Sequence, residues 1–362
     1  MINQYQLLIK NIVMKLLKYV TLSILAFSCF SCSKEEDSTL KNDLIKKTVA
    51  PAIAGEKIEF AYAIGAQKGQ LSSAEVKASI AGAEGTGFEL NSWFTARNKM
   101  VVNGVTYQAG EDVPVQTVKE ASTNGPVSTA SFMEKVDQSY INPTVAFGTS
   151  QSPIIAATVR YAYVVPAEAK GKSISFTFSS TSSVNDKASY STPAYPVSKM
   201  DMKRLIDMTN QGACYFSIED MKAYTKEEVA AQGLANKIDF IYIYQDKLNG
   251  FDYKHSIVSP GSDPKFIAIA GIVPSGATNK TPMEKHANVR DAQLKGSAPN
   301  VYIDDIDFQK LNLNEATDFA LNFIKDDGAF MKTANGKYAA YIYVNNVDNN
   351  GKMTISIKRY PL

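Results

Sequence analysis

The sequence predicts a mainly β chain, a β-sandwich followed by an α+β region, and three observations carry that prediction. Apolar residues alternate strictly at Ile58, Phe60, Tyr62 and Ile64, at Val159, Tyr161, Tyr163 and Val165, and at Ile174, Phe176 and Phe178. Such alternation marks strands with one buried face. Turn signals separate the runs: Pro166 to Gly171 is one, and Asn103-Gly104, between Met100-Val101-Val102 and Val105-Thr106-Tyr107, is a two-residue hairpin turn. Beyond residue 199 the pattern changes to strand, helix, strand, with helix starts written as capping boxes.

The chain opens with Lys15 and Lys18, an apolar run from Tyr19 to Phe30, and Cys32 after a small residue, Ser31. This is a secretory signal of the lipoprotein kind, spanning residues 1–32, with Cys32 as the acylated mature N-terminus. The apolar run is too short to cross a bilayer, which takes roughly 20 residues. Met14 is a second possible start. The Ser33-Lys34-Glu35-Glu36-Asp37 stretch resembles the acidic export tag of Bacteroidota surface lipoproteins. That resemblance implies an outer-membrane lipid anchor with the protein facing the medium. Residues 33–48 are polar and read as a flexible tether.

Composition bounds the rest. Without Lys10, Lys15 and Lys18, the mature chain keeps 35 of the 38 basic residues against 36 acidic ones. A nucleic-acid partner would need a basic surplus, and there is none. Past the signal the one cysteine is Cys214, so the fold must rest on its core rather than on an internal disulfide.

The sandwich is expected over residues 49–198. The run from Ala157 through Tyr163-Val164-Val165-Pro166 and Gly171 to Phe178 resembles the closing hairpin of immunoglobulin-like domains, and a Ser/Thr-rich stretch from Ser179 to Ser198 reads as the join to the α+β region. Over 199–362, the segment from Asp220 to Val229 aligns without gaps to that from Asp307 to Ala316. Thr225 with Glu228, and Asn312 with Glu315, each provide a cap and a carboxylate three residues on, so each is expected to start a helix. A tandem repeat over 199–260 and 290–362 is the resulting expectation. Tyr338 to Val344 should pair with Lys352 to Tyr360 across Asn349-Asn350-Gly351. The mature chain, and Phe216 to Thr225 above all, resembles an uncharacterised family of Bacteroidota surface lipoproteins described as a domain of unknown function. It implies location and architecture, with no activity or binding residues to carry over.

Chemistry-bearing residues are few. His255 and His286 are the only histidines, their spacing fits no zinc signature, and both read as loop residues. Cys214 lacks a basic flank and reads as a buried structural thiol. There is no nucleophile elbow, P-loop or dinucleotide fingerprint. Asp304, Asp305 and Asp307 stand together, as do Asp246, Asp252 and Asp263, but neither group has the spacing of a calcium loop, so turn and rim positions are the simpler reading. Trp93 is the one tryptophan. A lone tryptophan in a sandwich is ordinarily core, but beside Asn91 and Arg97 it also suits stacking on a sugar ring.

These observations lead to the expectation of a non-enzymatic surface lipoprotein without cofactor or metal. It would bind a glycan or an outer-membrane partner protein of an uptake complex, with Trp93, Asn91, Arg97, Asp304 and Asp305 as candidate contacts. Recognition is expected on the long loops between Tyr244 and Val301. A fimbrial subunit, clipped at Lys46-Lys47, and a carboxylate-dependent glycoside hydrolase using Asp304 or Asp305 are the alternatives.

Overall fold

The computed structural model describes residues 39–89, 92–96, 98–102, 104–119, 131–135, 143–147, 154–287, 289–295 and 300–362. The signal segment with Cys32, and the candidates Asn91 and Arg97, lie outside them.

The N-terminal unit contains β1 (Leu40–Lys46), β2 (Lys57–Ala66), β3 (Leu71–Ala78), β4 (Gly87–Phe88), β5 (Ser92–Ala96), β6 (Met100–Val102), β7 (Val105–Tyr107), β8 (Asp112–Lys119), β9 (Ser131–Lys135) and β10 (Thr144–Phe147). It continues with β11 (Ile154–Val164), β12 (Ser173–Ile174), β13 (Phe176–Ser182), β14 (Lys187–Ser191) and β15 (Tyr195–Pro196). Its main sheet runs β1-β2-β11-β5-β8-β9-β10-β3-β13-β14, with β4 added to β11. Among the described strands of this sheet only β8 and β9 pair in parallel. The sheet folds over itself so that β2 and β11 face β13: the Phe60 and Tyr161 rings lie 5.3 and 5.8 Å from the Phe178 ring. Its two ends meet where Thr39 donates to the Asp186 carboxylate. The alternating residues of all three predicted strands are the core of this sandwich. Each large side chain so buried contributes about 1.5–3 kcal/mol. The β6–β7 hairpin forms with Val102 opposite Val105.

Three expectations need correction here. Residues 40–46 of the expected tether are not tether, because Leu40 to Lys46 form an edge strand that seats Leu40 in the core. Its apolar signal is just Leu40 and Leu44, with polar Asn42 between them bonded to the Tyr62 hydroxyl at 2.9 Å. The Ala157–Phe178 run is no hairpin: β11 and β13 lie in opposite layers and pack face to face. The Ser/Thr-rich join is itself a hairpin, β13 with β14.

The C-terminal unit contains β16 (Asp201–Thr209), β17 (Tyr215–Ser217), β18 (Lys222–Tyr224), α1 (Lys226–Ala231), β19 (Phe240–Leu248), β20 (Phe251–Val258), β21 (Met283–His286) and α2 (Ala292–Lys295). It closes with α3 (Asp305–Lys310), β22 (Phe319–Phe323), β23 (Gly328–Lys332), β24 (Tyr338–Val347) and β25 (Lys352–Pro361). Two five-stranded antiparallel sheets, β16-β25-β24-β23-β21 and β18-β17-β19-β20-β22, enclose a second core. The β24–β25 hairpin forms as expected. The spans 199–260 and 290–362 do not make separate units, since β16 joins the sheet of β25 and β22 joins the sheet of β20. The Thr225–Glu228 capping box is present. The second helix starts earlier than expected: Asp304 caps α3 and boxes with Asp307, while Asn312 makes a turn by accepting from the Asn314 amide at 3.1 Å. The shift buries Phe308, stacked on Tyr360 at 5.6 Å. No helix among the described residues is long and apolar enough to cross a membrane.

The units share a third cluster, in which Ile53 of the first packs with Met200, Leu294, Phe308 and Tyr341 of the second. The Arg204 guanidinium grips Glu56 through two bonds, of 2.9 and 2.8 Å. Behind this seam, fully buried Lys358 donates to Asp291 at 2.6 Å, Gln293 at 2.9 Å and the Ile303 carbonyl at 2.8 Å, fastening the α2–α3 segment to the sheet.

Candidate functional site

The outward positions of β1, β2, β11, β5 and β8 form a trough of about 330 Å³. Strand register dictates its make-up. One row across the sheet reads Lys41, Gly65, Ala156, Thr95, Asp112; the next reads Asp43, Ala63, Thr158, Trp93, Pro114. The floor, on β2 and β11, is built of small side chains, and larger polar and aromatic ones stand on either side. Since neighbouring strands lie about 4.8 Å apart, β1 and β5 bound a channel about 14 Å across.

Trp93 is half-buried and lines this trough, while its neighbour Phe94 fills the core at 1% exposure. Adjacent strand residues point to opposite faces, so only one of these two aromatics can be inside. The other face-setting contact is Ser92, whose hydroxyl donates to the Glu89 carbonyl at 3.1 Å and accepts from the Arg160 amide at 3.2 Å. This registers β5 against β11 and brings the Arg160 guanidinium over the indole, 4.3 Å from the ring centroid. On the far wall Thr95 donates to Asp112 at 2.8 Å, and on the near wall Asp43 accepts from the Leu44 amide at 2.8 Å. Hydroxyl acceptors, an aromatic surface and a flat floor together suit a polar ligand with an apolar face.

Asp304 and Asp305 are not near Trp93. They border a different cleft, of about 450 Å³, between the two units, alongside Val49, Pro51, Asn300 and Tyr302. Asp304 is occupied by capping, accepting from the Ile306 amide at 2.8 Å and the Asp307 amide at 3.4 Å. Asp305 accepts from the Ser198 hydroxyl. Among the described residues no group of three or more His, Cys, Asp or Glu side chains is arranged to hold a metal ion. Asp246 pairs with Lys254, and Asp263 caps a short turn of 3₁₀ helix.

The histidines are strand residues rather than loop residues. His255 is buried in β20, its Nδ1 2.7 Å from the Tyr242 hydroxyl, and burial holds its pKa below the usual range. His286 ends β21 with Nε2 3.3 Å from Glu284. Cys214 is buried, and desolvation pushes its thiol up to about 11, which leaves it protonated and unreactive at neutral pH. The segment after Tyr244 is ordered further than expected, since β19 continues to Leu248 and turns directly into β20.

The trough floor was readable in the sequence. Outward positions Glu59, Ala61, Ala63 and Gly65 interleave with the buried Ile58, Phe60, Tyr62 and Ile64, so the small residues fall on one face. What the sequence did not show is which strands flank β2, and therefore that Trp93 would stand beside that floor.

The family described as Domain of unknown function (DUF4466) matches residues 37–197, and that described as Domain of unknown function (DUF8576) matches residues 198–362. Comparison with curated proteins finds no match. Among solved structures, a DUF4466 family protein from Parabacteroides merdae is 35% identical, with a TM-score of 0.73, covering 90% of this chain and 99% of that one. The collagen-binding subdomain of Enterococcus faecalis surface protein ACE is 9% identical, with a TM-score of 0.22, covering 42% of this chain and 92% of that one. The Bacillus cereus major pilin subunit BcpA is 7% identical, with a TM-score of 0.26, covering 88% and 65%. These two likenesses are too slight to carry an argument. Identity and coverage together establish that the chain belongs to the DUF4466 family.

Proposed function

We propose that the protein is a lipoprotein anchored through Cys32 at the outer membrane, facing the medium, and that its trough binds an extracellular glycan without catalysis. The observation that carries the binding role is the Trp93 ring standing over a floor of Gly65, Ala63, Ala156 and Thr158 with Asp43, Thr95 and Asp112 within the same trough. Sugar rings present apolar faces and polar rims, which such a surface complements. The carboxylates of the other cleft are engaged in capping and in the Ser198 bond, which favours binding over hydrolysis.

Trp93→Ala is expected to weaken retention in glycan-containing gels by about tenfold while leaving the circular dichroism spectrum unchanged. Unchanged retention would remove the trough from the reading. Mass spectrometry of the mature N-terminus tests the anchor: an unmodified Cys32 would refute it.

A fimbrial role is the second reading, favoured by one observation. Lys46 ends β1, an edge strand of the main sheet, and Lys47 follows it directly. Trypsin clipping there should yield ladders of oligomers if that reading is right, and a stable monomer if it is wrong.

A further inference from the structure

Resting on the glycan-binding reading, we infer that the trough selects a uronic-acid-containing polysaccharide, with a sugar carboxylate paired to Arg160 and a neighbouring ring lying on the small-residue floor. Arg160 projects on the same face as Thr158, opposite Ala61 and one row beyond Trp93, just past the residues that line the trough. Its guanidinium lies against the indole, and its Nε is buried with no hydrogen-bond partner. Among the described residues no carboxylate pairs with it. Arg204 and Arg359, by contrast, are matched with Glu56 and Asp201.

A planar cation held against an aromatic face, with no carboxylate of the described residues beside it, is prepared to pair a planar two-oxygen anion through its terminal nitrogens. Stacking fixes the guanidinium before the ligand arrives, so little side-chain freedom is lost on binding. The acidic residues of the trough sit in the other rows. Asp43 is one row away and Asp112 two, the latter bonded to Thr95. They accept hydroxyl donors and repel a second carboxylate. The arrangement therefore fits a polymer in which uronic acids are separated by neutral sugars, better than one carrying a carboxylate on every ring.

The test is titration calorimetry of the full mature chain with hyaluronan and xanthan, each beside its carboxyl-reduced form, and with polygalacturonate and dextran sulfate. The expected result is binding of hyaluronan or xanthan at least about tenfold tighter than of its reduced form. Arg160→Gln should erase that difference, while Arg160→Lys, which keeps the charge and the stem on Trp93, should restore part of it. Equal binding of acidic and reduced polymers, with Arg160→Gln indifferent, overturns the inference and leaves a neutral-glycan trough standing. Equal binding of dextran sulfate and hyaluronan also overturns it, by reducing the effect to bulk charge. If no polymer binds and Trp93→Ala changes nothing, both the inference and the glycan reading fall.

Discussion

Single residues set the energetics of this fold at two buried charges. Lys358 and Asp291 are both fully enclosed, and three acceptors surround the ammonium. Removing the cation alone leaves Asp291 charged and unmatched, so Lys358→Met should cost about 3–5 kcal/mol in urea unfolding. Asp239 is the opposite case: at 4% exposure it accepts from the Ile218 amide at 2.7 Å, and burial pushes its pKa up to about 7. The folded protein keeps that proton to about pH 7 and the unfolded chain only to about pH 4. Its stabilising contribution is therefore complete below about pH 4 and is lost as pH rises through 7. Relative to Asp239→Asn, the native protein should lose up to about 1.4 kcal/mol per pH unit across that window, measured as urea midpoints at about pH 5 and about pH 8.

At the level of elements, helix starts are decided by caps. Thr225→Ala and Asp304→Ala should each cost about 1 kcal/mol, read from thermal unfolding, because each leaves amides of the first turn without an acceptor. The Thr225 box was legible in the sequence. Asn312 with Glu315 offered the same letters and lost, since starting at Asp304 places Phe308 on Tyr360, a contact that no local pattern reveals. The strands with four alternating apolar residues were equally plain. The missed β1 has two, and owes its place to pairing with β2 from Leu40↔Ala66 to Lys46↔Phe60. The outward placement of Trp93 was legible only as an alternative to core, because its face follows from which strands pair rather than from its own neighbours in the sequence.

On the scale of the whole molecule, the two units are joined by an apolar cluster, the Arg204–Glu56 pair and the Gln293 side chain donating to the Pro51 carbonyl at 3.1 Å. Separating them would expose Ile53, Met200 and Tyr341 to water. Calorimetry should accordingly show one unfolding transition, and two well-separated transitions would show that the seam contributes little. The early start of β1 has a consequence for height. If Cys32 carries the proposed lipid, only residues 33–39 separate the bilayer from Leu40, a span of at most about 25 Å even when fully extended. The Lys41 row, next to Leu40, would then be the part of the trough nearest along the chain to the attachment point, and the reach of that short segment would limit the room for a large ligand.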